Sequence, residues 1–160
     1  MIPSRFEDEM AIRALVSAYA DAVNRRDPEG MAAVMAPDGM IEKPGYGEPI
    51  RGRELILKRY RRLQREREFL CQMIHNGVVH VEGDNATARW WFSETKLPAG
   101  GGDWLTMIGV YQDEAVRLEE GWRFLRRVQT TVLERRLPND ARVTAHAAPN
   151  FLDIAGLPTL

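Results

Sequence analysis

Apolar positions in the first part of the chain recur every three to four residues. Between Glu7 and Arg26 the residues Ile12, Leu15, Val16, Tyr19 and Val23 share one stripe while Arg13, Asp21 and Arg25 stay polar, which predicts an amphipathic helix with one face on a core. Asp27 followed by Pro28 supplies a cap and a first-turn proline, so Met31, Val34 and Met35 make a short second helix ending before Pro37-Asp38-Gly39. Met40 to Glu42 read as a short strand, stopped by Pro44-Gly45 and a glycine-rich loop to Gly52. A third helix is expected from Arg53 to about Glu68, with Leu55, Ile56, Tyr60 and Leu63 inward and Lys58, Arg59, Arg61, Arg62, Arg65 and Arg67 outward.

The period then changes. From Phe69 to Phe92 two strands flank Glu82-Gly83-Asp84-Asn85, a turn of residues that tolerate positive φ, and this hairpin is expected to line any pocket. Pro98 to Gly102 form a flexible connection, and Trp104 to Asp113 and Trp122 to Leu133 read as two long strands joined through Glu119-Glu120-Gly121. Three helices followed by a run of strands argue for an α+β layer with helices on one face of a curved sheet. From Pro138 onward the pattern dissolves, so residues 1–137 are read as the domain and 138–160 as a tail that docks on a neighbour or closes over the pocket.

Composition narrows the function classes. With 22 basic and 23 acidic side chains, for a formal charge of −1, there is no global field for nucleic acid or an anionic membrane, and the basic third helix reads as a solvated face or a dimer rim. Cys71 is the only cysteine, which rules out an internal disulfide and suits a reducing, cytoplasmic setting. Acids near the N-terminus and the lack of a run of about 20 apolar residues argue against a signal peptide or a membrane span. The hairpin carries two polar groups capable of proton transfer, His75 and His80, and no ligand spacing suggests a metal centre even with Glu94 added. Trp90, Trp91, Phe92 and Trp104 are core or dimer-face residues, or, where they line a cavity, platforms for a flat ring.

Three stretches together resemble the SnoaL-like branch of the nuclear transport factor 2-like superfamily, whose members include scytalone dehydratase, ketosteroid isomerase and the small subunits of ring-hydroxylating dioxygenases. They are Tyr19-Ala20-Asp21-Ala22-Val23-Asn24-Arg25-Arg26-Asp27 with Pro37-Asp38-Gly39, the hairpin Asn76 to Ala88, and Gly109-Val110-Tyr111-Gln112-Asp113 followed by Gly121-Trp122-Arg123-Phe124. The resemblance implies a cone-shaped α+β barrel, a strongly curved mixed or antiparallel sheet closed by three N-terminal helices, with an apolar cavity inside. It also implies a homodimer formed by the outer faces of the sheets and a hydrophobic, ring-containing ligand, with no cofactor, nucleic acid or membrane.

Residue by residue, the resemblance makes Tyr19 the donor to a substrate carbonyl. The isomerases' carboxylate falls on Lys43, with the adjacent Glu42 on the opposite face of the strand; the dehydratases' aspartate and histidine fall on Asn24 and Gln72, neither of which takes a proton at neutral pH. Two readings stay open. In one, His75 is the base, brought to the face of Gln72 by a β-bulge at Asn76-Gly77 and oriented by Asp27 or Glu42, and the protein is a cofactor-free lyase or isomerase with catalytic Tyr19 and His75 and with Asn24, Gln72, Glu42, Trp90 and Trp104 around the substrate. In the other, the dyad is lost and Asn24, Gln72 and Tyr19 hydrogen-bond a ligand in a binding or accessory protein, as the stretch Thr130 to Pro138, similar to the end of the dioxygenase subunits, would suit. His80 and His146 are secondary candidates.

Overall fold

Helix α1 (Arg5–Asn24) buries the expected stripe, Ile12, Leu15, Val16, Tyr19 and Val23, against the inner face of a six-stranded sheet. The structure is a computed structural model that describes residues 5–140. The helix stops at Asn24 because Arg26 turns left-handed, φ 60°, and folds the chain back so that the Asp27 N–H donates to the Ala22 carbonyl at 2.8 Å. Asp27 then caps α2 (Pro28–Ala33), its carboxylate accepting from the Gly30 N–H at 2.9 Å.

The second helix is shorter than its apolar spacing suggested. Met35 already begins β1 (Met35–Glu42), which runs through Pro37-Asp38-Gly39 rather than stopping there. The strand survives because it pairs in parallel with β6 through a register shift between Met35 and Met40, with Gly39 seated against the carbonyls of Ala36 and Phe124. The glycine-rich loop holds a further small strand, β2 (Ile50–Arg51), on the outer edge of β1. Helix α3 (Arg53–Arg65) ends before Glu68, and the Arg26 guanidinium donates to the carbonyls of Gln64, Arg67 and Glu68 where the helix gives out. Its buried stripe is Ile56, Tyr60 and Gln64; Leu55, expected inward, is 58% exposed.

The remaining strands are β3 (Arg67–Glu82), β4 (Asn85–Pro98), β5 (Trp104–Leu118) and β6 (Gly121–Leu137), antiparallel in sequence order. The expected hairpin turn is real: Glu82 pairs with Asn85, and Gly83 supplies φ 60°. The sheet order is β2-β1-β6-β5-β4-β3, mixed and open, a curved cone-like wall covered on its inner side by the helices. Both ends of α1 are tied to it. Asp8 accepts two bonds of 2.7 Å from Arg117 and one of 3.1 Å from Trp122 Nε1, while Asn24 holds β3. Among the described residues no helix is long and apolar enough to cross a membrane. His146 and most of the expected tail, residues 141–160, lie outside the described residues.

Two inner-face glycines let aromatic rings lie flat on the neighbouring strand. A Cβ at Gly77 would stand 2.1 Å from Trp90 Cε3, and one at Gly109 would stand 2.4 Å from Phe92 Cζ. Gly77→Ala and Gly109→Ala should each lose at least about 2 kcal/mol in urea unfolding, because overpacking against ring and backbone cannot relax. A loss below about 0.5 kcal/mol in either would show that the rings are not pinned there.

Candidate functional site

The inner face of the sheet and the helices enclose a cavity of about 410 Å³. Its deep end is polar, which is unusual for a core and is built from five elements. Tyr19 comes from α1, Tyr60 from α3, Gln72 from β3, Tyr111 from β5 and Arg127 from β6, all of them buried. Glu94 and Lys96 of β4 stand on one wall, joined at 3.0 Å, and Ile41, Ile50, Leu63 and Leu70 supply apolar surface. The mouth carries Lys43, Tyr46, Glu48, Arg59, Arg62 and Arg67.

Strand register explains the inward charges. Phe92 faces the core, so a period of two places Glu94 and Lys96 on the same side, and Gln72 lies directly across from Glu94. A register shift between Glu114 and Ala115 sets Arg126 opposite Glu114 and Arg127 opposite Asp113. Arg126 turns outward to Glu42 and Glu114. Arg127 turns inward, 2% exposed, and donates to both Asp113 oxygens at 2.8 and 2.7 Å. Its guanidinium lies 4.4, 4.2 and 4.2 Å from the ring centres of Tyr19, Tyr111 and Phe124.

The three tyrosines form one network. The ring centre of Tyr19 lies 6.1 Å from that of Tyr60 and 6.0 Å from that of Tyr111, and its hydroxyl shares hydrogen bonding with both. The Tyr111 hydroxyl accepts from Gln72 Nε2 at 2.9 Å, and the same amide donates to Glu94 Oε2 at 3.0 Å. Burial pushes the Tyr19 pKa up, with the charge of Arg127 and the two hydrogen bonds acting against it. Tyr60 and Tyr111 are raised well above their ordinary range, again chiefly by burial. Burial works against the charge on Arg127, but the Asp113 carboxylate outweighs it and holds its pKa above the usual value. Gln72 Oε1 and Arg127 Nη1 are buried without a hydrogen-bond partner among the described residues.

The matching family fits this architecture. Residues 4–128 match the SnoaL-like domain family. The chain belongs to that family. The uncharacterised protein Rv2910c of Mycobacterium tuberculosis is 27% identical over 136 residues, spanning 84% of this chain and 92% of its own. The fold is shared with hexachlorocyclohexane dehydrochlorinase LinA-type3 of Novosphingobium barchaimii, at TM-score 0.77, 18% identity and coverage of 88% and 97%. It is shared as well with a candidate scytalone dehydratase of Novosphingobium aromaticivorans, at TM-score 0.73, 18% identity and coverage of 87% and 97%.

This SnoaL-like cavity gathers only part of the set expected from the sequence. Tyr19, Gln72 and Glu42 line it. Asn24 does not, because its side chain is spent on β3: Nδ2 donates to the Gln72 carbonyl and Oδ1 accepts from the Gln72 N–H, both at 2.7 Å, as a neighbouring strand would. His75 is exposed on the outer face, 2.9 Å from Ser93 Oγ. The expected bulge exists, between Ile74 and Gly77, and it takes in His75 and Asn76, but both are exposed, while Gln72 and Ile74 before it keep the inner phase. Asp27 is occupied as the α2 cap, and Glu42 grips Arg126 with both oxygens, which lowers its pKa, so neither orients His75. Trp90 is packed in the core over Gly77, and Trp104 packs on Phe69 with its Nε1 donating to Asn139; neither lines the cavity. His80 is exposed.

The three buried tyrosines set an alkaline limit. Their folded-state pKa values lie above the unfolded value of about 10, so on raising the pH the unfolded chain releases these protons first. Stability from this source is complete below about pH 9 and should fall as pH rises through about 10, with Tyr19, Tyr60 and Tyr111 ionising only as the protein unfolds. Ultraviolet titration alongside circular dichroism reads this; ionisation of all tyrosines in the folded state would contradict it.

Proposed function

We propose that the cavity binds a flat, ring-containing small molecule and removes a proton beside its carbonyl or leaving group, as a cofactor-independent lyase or isomerase. The observation that carries this reading is the bridge from Gln72 Nε2 to Glu94 Oε2 and Tyr111 OH, which sets a carboxylate and a polarised phenol network on one cavity. Tyr19 donates to the oxygen where negative charge develops, and donors aimed at a developing oxyanion are worth about 10²–10³ in rate. Glu94 takes the place expected of His75. Its carboxylate oxygen accepts the carbon-bound proton, the electron pair moves into the enolate held by Tyr19, and the enolate either expels a leaving group or recovers the proton at another carbon. Gln72 and Lys96 hold Glu94 in position.

A second reading, binding without turnover, is favoured by Asn24, whose side chain is consumed by backbone, and by Gln72, whose amide cannot accept a proton. In either case the partner on the outer face is a second copy of the chain. Met73, Ser93, Ile108 and Leu133 form one row across four strands, with Trp91 beside it, and the apolar members are 38–58% exposed. The lone Cys71, without a disulfide partner, suits work in the cytoplasm.

Proton abstraction is tested without knowing the substrate by following deuterium exchange of a ring ketone, 1-tetralone, in D₂O by NMR. The protein should accelerate exchange beside the carbonyl; Glu94→Gln should lower the rate about 100-fold and Tyr19→Phe by a similar factor, while His75→Gln leaves it unchanged. Full activity in Glu94→Gln would remove Glu94 as the base, and binding of the ketone without any exchange would favour the second reading.

A further inference from the structure

The charge around the cavity is one-sided in a chain whose formal total is only −1. Six basic side chains line it, Lys43, Arg59, Arg62, Arg67, Lys96 and Arg127, against three acidic ones, Glu42, Glu48 and Glu94. Most of these are already matched. Arg127 has Asp113, Lys96 has Glu94, Arg62 has Glu66 at 3.3 Å, and Glu42 is taken by Arg126. What is left at the mouth is Lys43, Arg59 and Arg67, each half-buried and without an ion-pair partner among the described residues, facing the single exposed carboxylate of Glu48.

Within this group Lys43 sits where cations crowd. Its ammonium lies 4.1 Å from the Tyr46 ring centre. Burial lowers its pKa, the charges of Lys96 and then Arg67 act the same way, and Glu94 and Glu134 oppose them. Both carboxylates are shared: Glu94 with Lys96 at 3.0 Å and Glu134 with Arg136 at 3.4 Å. Partly buried cations brought together without full neutralisation cost stability unless an anion joins them.

We propose that Lys43 and Arg67, with Arg59 at the rim, form an oxyanion subsite at the cavity mouth, so that the ligand is a ring compound bearing a carboxylate or a phosphate ester. This rests on the reading of the cavity as the ligand site and adds the chemical class. The anionic group lies at the mouth and the ring points inward, toward the apolar wall and the tyrosine network. A neutral ring compound of the same shape leaves the cations unmatched, so the subsite sets specificity as well as affinity.

The test is calorimetric titration of the full chain with 2-naphthoate, 2-naphthyl phosphate and neutral 2-naphthamide. At least one anion should bind about tenfold more tightly than the amide, and the gap should narrow as sodium chloride rises from about 50 to about 500 mM. Whichever anion binds best identifies the group. In Lys43→Met/Arg67→Met, with folding checked by its thermal transition, the gap should close and the amide should bind as before. Equal binding of anions and amide to the unaltered chain overturns the subsite while leaving the cavity reading intact, and so does a gap that survives the double substitution. If none of the three binds, the cavity reading fails and the subsite falls with it.

Discussion

The Arg127–Asp113 pair is the constraint on which the interior depends. Both side chains are essentially sealed, 2% and 0% exposed. Taking two such charges out of water costs several kcal/mol per ion, and their attraction repays this only with good geometry and further partners. Here the partners are two short hydrogen bonds and three aromatic faces, Tyr19, Tyr111 and Phe124, contributed by α1, β5 and β6. The pair therefore settles where those rings stand. Tyr19 lines the cavity with its ring resting on the guanidinium and packed against Tyr60 and Tyr111.

The rest of the scaffold keeps α1 and the strands in phase with that centre. Asp8 secures one end of the helix to Arg117 and Trp122, and Asn24 secures the other by offering β3 the donor and acceptor of a missing strand neighbour. The register shift between β5 and β6 sets Arg127 rather than Arg126 inward, and the period of two along β3 sets Gln72 inward. One residue of slip would exchange the two arginines. A SnoaL-like fold can thus hold a polar hollow in its core while its outer wall carries exposed apolar side chains.

The local features of this fold were legible because local chemistry determines them. The α1 stripe, the Asp27 cap and the Gly83 turn each follow from spacing or from one residue's conformational range. Non-local pairing was not legible. Pro37-Asp38-Gly39 reads as a stop, yet it lies inside β1 because distant β6 pairs with it around Gly39. Of the expected set, Tyr19, Gln72 and Glu42 line the cavity. Asn24 looked like a lost acid but is a backbone clamp, and His75 stands on the outer face, in a bulge whose existence could be anticipated and whose effect on side-chain direction could not. Glu94 and Lys96 carried a usable signal, since alternation from Phe92 puts both inward, where charged residues are rare. Arg127 carried none, because two consecutive arginines on a strand read as solvated until Asp113 is seen opposite one of them.

The central claim is that this buried polar centre is maintained for a ligand rather than for stability. The most direct measurement replaces the pair by apolar residues of similar bulk, Asp113→Leu together with Arg127→Met, and compares unfolding free energy with binding of 2-naphthoate. Apolar replacement of a buried ion pair is commonly neutral or stabilising by about 1–4 kcal/mol, so the account predicts stability kept or raised while binding weakens by at least about tenfold. A variant that keeps its affinity for the ligand, or that loses several kcal/mol of stability, would contradict it.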